Sequence, residues 1–182
     1  MTGGTSRRMG QDKASMVIEG QVSARRIGAL LAGVAHPALE VGPGHSDLEV
    51  VGEHNPGQGP LVAVAEGWEA LVRTGHGGDV LVVACDLVFL TRRLLVWLSN
   101  RPESGSVIPV VEGRPQPLCA RWSPTDLDRL VGLVQGGHRS FKSAYDHCPI
   151  TFLDEQEWGH AAQAIDFADV DSPEDLHRLG LG

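Results

Sequence analysis

The sequence is short of several residue types and patterns, and each shortage excludes a class of protein. It has three cysteines in 182 residues (Cys85, Cys119 and Cys148), with no C-x-x-C pair and no even set. This excludes a disulfide-stapled secreted domain and predicts a reducing, cytoplasmic location. The longest uninterrupted apolar run, Val80 to Cys85, is far too short for a membrane span, and no signal peptide opens the chain.

Positive charge is scarce as well. Lysine and arginine total 15 against 23 acidic residues, so the formal net charge is −8. Only two of the basic residues, Lys13 and Lys142, are lysine. This balance argues against nucleic acid or an anionic membrane as the main partner. The eight histidines show no zinc-ligand spacing, and no G-x-S-x-G motif indicates a nucleophilic serine.

What is present is ordinary globular composition, 42% hydrophobic and 21% charged, and we expect one domain over residues 1–182. Hydrophobic periodicity alternates between strand and helix. Predicted strands are Ala38–Val41, Leu48–Val51, Val80–Cys85, Val107–Val111, Leu118–Trp122, Ile150–Leu153 and Ile165–Ala168. Predicted helices cover 22–34, begin at Pro60, Thr91, Pro124 and Ser172, and include a short one around Phe141–Tyr145. This order favours an α/β, three-layer sandwich with a mainly parallel sheet, whose ligands bind beyond the carboxyl ends of the strands.

The stretch from Thr2 to Lys13 is the most informative part of the chain. Its glycines let backbone N–H groups approach a ligand, and it holds three positive charges on Arg7, Arg8 and Lys13. On an acidic protein this local excess suits a polyphosphate, although a solvated glycine turn would look similar. The stretch matches neither the P-loop nor the G-x-G-x-x-G pattern.

This stretch resembles the signature L-x-G-G-x-S-x-R-M-G-x-D-K of the MobA-like nucleotidyltransferases, matched here from Gly3 to Lys13. The resemblance implies a Rossmann-like nucleotidyltransferase fold in which Arg8 and Lys13 contact the phosphates of a nucleoside triphosphate. Gly59-Pro60-Leu61 is similar to the family's G-P-L segment near the base, with Gly42 and Glu53 as loosely aligned base-reading positions. The loop residues implied to wrap the triphosphate are Gly3, Gly4, Thr5, Ser6 and Gly10.

Asp86 directly follows the buried strand Val80–Cys85, where active sites of α/β proteins form. Taken alone it reads equally well as a loop cap or as a metal ligand. The segment from Cys85 to Leu90 resembles the family's C-D-x-P-x-L motif, whose aspartate binds Mg²⁺. Asp171 lies before a predicted helix and is either a helix cap or the second ligand.

Three further segments resemble family segments that lie near the acceptor substrate. Arg114 and Pro117 belong to a match to R-x-x-P-L-x-A, and Asp169 lies where a polar residue faces the pterin. Arg139 and Lys142 occupy a basic segment that would meet the pterin phosphate, or else they form a solvated helix start.

Within the family, R-M-G-x-D-K is typical of the molybdenum cofactor guanylyltransferases. The resemblance therefore implies Mg²⁺-dependent guanylyl transfer from GTP to molybdopterin, with passing contact to proteins that insert or receive the cofactor. A cytidylyltransferase, a MobA-like enzyme with another acceptor, and a nucleotide-binding protein that has lost catalysis remain as alternatives.

Three departures from the family pattern stand out. The first strand, which precedes the signature loop in the family, is missing here, so we expect the natural reading frame to begin upstream. Val88 replaces a proline after Asp86 and is expected to loosen that turn. Ala63 stands where relatives carry glycine and would be strained if its φ were positive.

Overall fold

The computed structural model describes residues 17–18, 21–170 and 175, in which strands and helices alternate. The strands are β1 (Val17–Ile18), β2 (Gln21–Val22), β3 (Leu39–Val41), β4 (Glu49–Val51), β5 (Val80–Val83), β6 (Val107–Val111), β7 (Arg114–Pro115), β8 (Cys119–Trp122) and β9 (Thr151–Leu153). The helices are α1 (Ser23–Ala32), α2 (Pro60–Arg73), α3 (Arg92–Ser99), α4 (Pro124–Gln135), α5 (Phe141–His147) and α6 (Glu155–Trp158), followed by a 3₁₀ turn at Ala164–Phe167.

Capping residues set several of these helix starts, as the sequence predicts. The Thr91 hydroxyl accepts a hydrogen bond from the Leu94 backbone N–H at the start of α3, and Ser123 accepts one from Asp126 at the start of α4. Pro60 occupies the first turn of α2, where its missing N–H costs nothing.

The described strands pair in both directions, which agrees with the expected α/β class. The main sheet runs in the order β5-β8-β6-β7, and β9 also pairs with β6. β6 and β9 are parallel, whereas β5 and β8 are antiparallel. The apolar run of β5 led us to expect parallel neighbours. Cover by helices on both faces explains that run regardless of strand direction.

Two hydrophobic cores lie on opposite faces of the main sheet and produce three layers. On one face, Val83 of β5 packs with Leu94 and Leu98 of α3. On the other face, Val82 packs with Leu61 of α2 and with α4. Adjacent residues of β5 therefore serve different cores, because successive strand side chains point to opposite faces.

β3 and β4 form a separate parallel pair, and an apolar cleft lies between β3 and β5. Helix α2 roofs this cleft with Val64, Trp68 and Leu71. The contact between α2 and β3 is tight, since a Cβ built on Gly67 would lie 2.8 Å from Cγ2 of Val41. None of the described helices is long and apolar enough to cross a membrane.

A buried carboxylate joins α4 to the main sheet. Asp126 is 1% exposed, and its Oδ2 accepts hydrogen bonds from the hydroxyls of Ser106 (2.7 Å) and Ser123 (2.8 Å). Its Oδ1 accepts a bond from Arg129 at 2.7 Å. Burial by itself would raise the pKa of Asp126, but these hydrogen bonds outweigh it and hold the pKa below its ordinary value.

The three cysteines are free and buried. Burial raises the pKa of the Cys119 thiol far above its ordinary value. It also raises the pKa of Cys148 to about 11, with the charge of Asp126 adding to the effect.

One local prediction is wrong, and one helix was missed. Residues 165–168 do not form a strand: they lie in and just after a 3₁₀ turn, where the Asp166 carboxylate accepts the Gln163 N–H at 3.0 Å and closes the chain locally. Helix α6 was not predicted, although Asp154 and Glu157 form the reciprocal capping box that signals such a start. The final predicted helix, from Ser172, falls largely outside the described residues.

Candidate functional site

Asp86 lies in the turn that follows β5, and its side chain is half-buried. β5 is covered on both faces, so the turn emerges at the carboxyl end of a buried strand. The backbone carbonyl oxygen of Asp86 accepts hydrogen bonds from the Val88 N–H at 2.9 Å and the Val170 N–H at 3.2 Å. The backbone that carries Asp86 is thus held on two sides.

The bond from Val88 changes the interpretation of one departure from the family pattern. A proline at position 88 would have no N–H to donate, whereas Val88 closes the turn with one. Val88 therefore supplies a hydrogen bond in place of the fixed φ that a proline would give this turn. Ala63 is also unstrained, because it lies within α2, and Glu112 is the non-glycine residue with positive φ in the described part.

The start of α1 packs against the same turn. The Ser23 hydroxyl donates to the Cys85 carbonyl, and Arg26 Nη2 donates to the Leu90 carbonyl at 2.9 Å. Arg26 Nη1 is buried without a hydrogen-bond partner in the described part of the chain. Sequence reasoning missed both residues, since amphipathic spacing marks only the apolar face of a helix.

The bond from Val170 brings the C-terminal segment to Asp86. Val170 is fully buried, and its neighbour Asp169 is exposed. The predicted second ligand, Asp171, lies outside the described residues, so its pairing with Asp86 stays a prediction. No cluster of three or more His, Cys, Asp or Glu that could hold a metal occurs among the residues described.

The predicted acceptor segment around Pro117 also reaches this end of β5. The Ala84 N–H donates to the Leu118 carbonyl at 2.9 Å, and Trp122 Nε1 donates to the Pro117 carbonyl at 3.0 Å. Arg114 is exposed on β7, beyond the two-residue turn of Glu112 and Gly113 that joins it to β6.

A second group of predicted residues meets at the start of α2. Gly59 has φ +99°, a conformation that favours glycine, and a Cβ there would lie 3.4 Å from the carbonyl oxygen of Arg139. Arg139 Nε donates to Gln58 Oε1 at 3.2 Å. The predicted base-side segment and the predicted basic segment are therefore neighbours. Lys142 is exposed on α5, Pro60 is exposed, and Leu61 is fully buried in the core.

The signature loop lies outside the described residues, so its predicted contacts stay predictions. They concern Gly3, Gly4, Thr5, Ser6, Arg8, Gly10 and Lys13. Of the predicted base-reading positions, Glu53 is half-buried in the loop between β4 and α2.

Two buried glutamates at this end were not predicted as site residues. Glu40 on β3 and Glu66 on α2 are 2% and 7% exposed, and both accept hydrogen bonds from loop backbone. The sequence does carry a signal for the burial of Glu66. Ala63, Gly67 and Ala70 give α2 a second face of small residues, which indicates close packing on that face and burial of the neighbouring Glu66 side chain.

Comparison with known proteins agrees with this arrangement. A "Probable molybdenum cofactor guanylyltransferase" of Bacillus cytotoxicus is 24% identical over 191 residues, covering 98% of this chain and 93% of the relative. A protein of the same name from Mycobacterium tuberculosis is 30% identical over 155 residues, covering 80% and 77%.

Among solved structures, the molybdopterin-guanine dinucleotide biosynthesis protein A of Archaeoglobus fulgidus superposes with a TM-score of 0.76 at 20% identity, covering 97% of this chain and 93% of that one. This likeness confirms the fold. The family model of the MobA-like NTP transferase domain matches residues 1–160. The chain therefore belongs to the MobA-like NTP transferase family.

Proposed function

We propose that this protein is a molybdenum cofactor guanylyltransferase. In the proposed reaction a terminal phosphate oxygen of molybdopterin, which carries molybdenum, forms a bond to the α-phosphorus of GTP. The bond from that phosphorus to the bridging β-phosphate oxygen breaks, and pyrophosphate leaves with the electron pair. The two relatives that carry this name support the choice of substrates.

The observation that carries the proposal is the built turn at Asp86. A half-buried carboxylate follows a strand covered on both faces, and Val88 and Val170 both hydrogen-bond to its backbone. Transfer of a nucleotidyl group needs rigid positioning and charge stabilisation more than a covalent nucleophile. The fixed backbone at Asp86 supports the first need, because it positions the residue that carries the carboxylate.

Asp86 also fits Mg²⁺, since this ion prefers one or two carboxylates together with phosphate oxygens. We propose Asp86 and Asp171 as its protein ligands, and the hydrogen bond from Val170 supports their proximity. When bound, the ion would neutralise negative charge on the triphosphate. Arg8 and Lys13 would add positive charge from the signature loop.

The remaining roles follow the two groups of segments. Glu53, Gly59, Pro60 and Leu61 would lie on the nucleotide side, with the loop residues Gly3, Gly4, Thr5, Ser6 and Gly10 around the phosphates. Arg114, Pro117, Arg139, Lys142 and Asp169 would bind the acceptor. The bond between Arg139 and Gln58 supports a shared boundary between the two substrates. We further propose a cytoplasmic location and passing contact with proteins that insert or receive the cofactor.

The test is pyrophosphate release from GTP, CTP, ATP and UTP, each with molybdopterin, with and without Mg²⁺. We expect release with GTP and Mg²⁺ only. Preferential use of CTP, or turnover with another phosphate acceptor, would replace the proposed substrates. Nucleotide binding without any release would indicate a protein that has lost catalysis.

Asp86→Asn is the sharpest variant because it removes the charge and keeps the shape. We expect at least a hundredfold loss of Mg²⁺-dependent pyrophosphate release, as for removal of one electrostatic group in other active sites. The exposed Asp146→Asn, on α5, is the matched control. Undiminished turnover of Asp86→Asn would remove this residue from the mechanism.

A further inference from the structure

The carboxylate of Glu66 on α2 accepts hydrogen bonds from the loop between β4 and α2. One carboxylate oxygen accepts the His54 backbone N–H at 3.0 Å. The other accepts the Asn55 backbone N–H at 3.2 Å and the Asn55 side-chain amide at 3.0 Å. The loop residues from His54 to Gln58 are exposed, so this buried carboxylate supplies order that the loop does not obtain from packing.

Glu40 on β3 does the same for the preceding loop. Its two oxygens accept the backbone N–H groups of Gly44 at 2.9 Å, His45 at 2.8 Å and Ser46 at 2.6 Å. The Ser46 hydroxyl adds a fourth bond at 2.6 Å. Hydrogen bonds to an ionised carboxylate are shorter and stronger than neutral ones, so each loop is fixed by one side chain.

The two loops lie together. Each follows one strand of the parallel pair β3 and β4, whose carboxyl ends lie at the same edge. The Gly42 N–H donates to the Val51 carbonyl at 3.0 Å, which ties the start of one loop to the end of the neighbouring strand. Close packing of Gly67 against Val41 keeps the helix that carries Glu66 against the strand that carries Glu40.

We propose that Glu40 and Glu66 are positioning residues that shape the base-selecting end of the nucleotide site. The inference rests on the proposed function, in which Glu53 and Gly59 lie on the nucleotide side. Glu53 and Gly59 flank the loop held by Glu66. Loss of the carboxylate would let this loop move and would weaken binding and selection of the base, with the chemistry at Asp86 unaltered.

The test compares Glu66→Gln with Glu69→Gln, a control on the same helix whose side chain is exposed. A glutamine would direct an NH₂ group at a loop N–H and lose an acceptor. We expect the KM for GTP to rise about tenfold, kcat to stay within twofold, and the preference for GTP over CTP to fall. Glu66→Asp, which keeps the charge, should recover part of the loss. Glu40→Gln, compared with the exposed Glu49→Gln, should behave like Glu66→Gln.

Amide hydrogen exchange provides a second measurement, which needs no substrate. In Glu66→Gln, exchange at His54 and Asn55 should accelerate at least tenfold, while amides of β6 and β8 keep their wild-type rates. Unchanged exchange at His54 and Asn55 would overturn the anchoring role.

A variant with fast exchange but unaltered KM and base preference would overturn the positioning role. So would a loss confined to kcat. A wild-type protein that transfers no guanylyl group would instead overturn the proposed function. Exchange and equilibrium binding of GTP and CTP would then still decide whether these glutamates shape the loops.

Discussion

Asp126 and Glu66 are both buried carboxylates with three or more hydrogen bonds, but they belong to different regions. The partners of Asp126 are Ser106, Ser123 and Arg129, which lie at the ends of elements or within α4. The partners of Glu66 are His54 and Asn55, in an exposed loop. The same chemistry therefore fixes the scaffold in one place and a loop of the proposed site in the other. Whether a buried carboxylate stabilises the scaffold or orders a loop therefore depends on where its hydrogen-bond partners lie.

The largest effect that would test this comparison is expected for Asp126→Ala. Removing the carboxylate leaves the hydroxyls of Ser106 and Ser123 and the charge of Arg129 without their partner. The free energy of unfolding should fall by about 3 kcal/mol, the scale for breaking a buried charged network. Urea denaturation followed by circular dichroism measures it, with exposed Asp146→Ala as the control.

In contrast to Glu66→Gln, the folded Asp126→Ala protein should keep the wild-type KM for GTP. A stability loss below 1 kcal/mol, or a rise in KM like that expected for Glu66→Gln, would remove the distinction between scaffold and loop carboxylates.

A second prediction concerns acid. The pKa of Asp126 is lower in the folded protein than its unfolded value of about 3.9, so the unfolded state binds more protons around that pH. The stabilisation from Asp126 is thus complete above the unfolded pKa and is lost as the pH falls through the folded pKa. Glu103, whose pKa is lowered by its hydrogen bond to Arg101, acts in the same direction.

Comparison with Asp126→Ala isolates the contribution of Asp126. The stability difference between wild type and variant should be constant from pH 7 to pH 5 and should shrink below pH 4. A difference that stays constant down to pH 2 would contradict the assignment.

The smallest effect is expected where the loop region joins the scaffold. In Gly67→Ala the new methyl group would lie 2.8 Å from the Val41 side chain, so α2 or β3 must shift. The cost should be about 1 kcal/mol after the gain in helix propensity. Gly132→Ala on α4 is the matched control, because a Cβ there meets nothing within 4 Å, and it should stabilise the protein by up to about 1 kcal/mol. Equal melting temperatures for both variants would contradict tight packing at Gly67.

Local signals explain which parts of the fold could be predicted. The starts of α2, α3 and α4 carry Pro60, Thr91 and Ser123, whose effect depends only on the next few residues. The strand predicted at Ile165–Ala168 fails because Asp166 bonds back to Gln163, which local apolar pattern does not reveal.

The candidate site divides in the same way. The position of Asp86 was predictable, because a continuous apolar run marks a buried strand and Asp86 directly follows it, whereas its role in the site stays a prediction. The burial of Glu66 had a signal in the small residues of α2, but its loop partners had none, since they lie 11 and 12 positions earlier and meet it only when α2 packs on β3. The bond from Val170 to Asp86 is likewise tertiary.

The three cysteines give this molecule built-in reporters of opening. Cys85 packs with Ala24 beside the Asp86 turn, Cys119 belongs to the core that contains α3, and Cys148 belongs to the core that contains α2 and α4. Thiol reagents attack the thiolate, which burial suppresses at Cys119 and Cys148 in the folded state. The order in which the three sulfurs are alkylated will therefore tell which layer of the sandwich separates first.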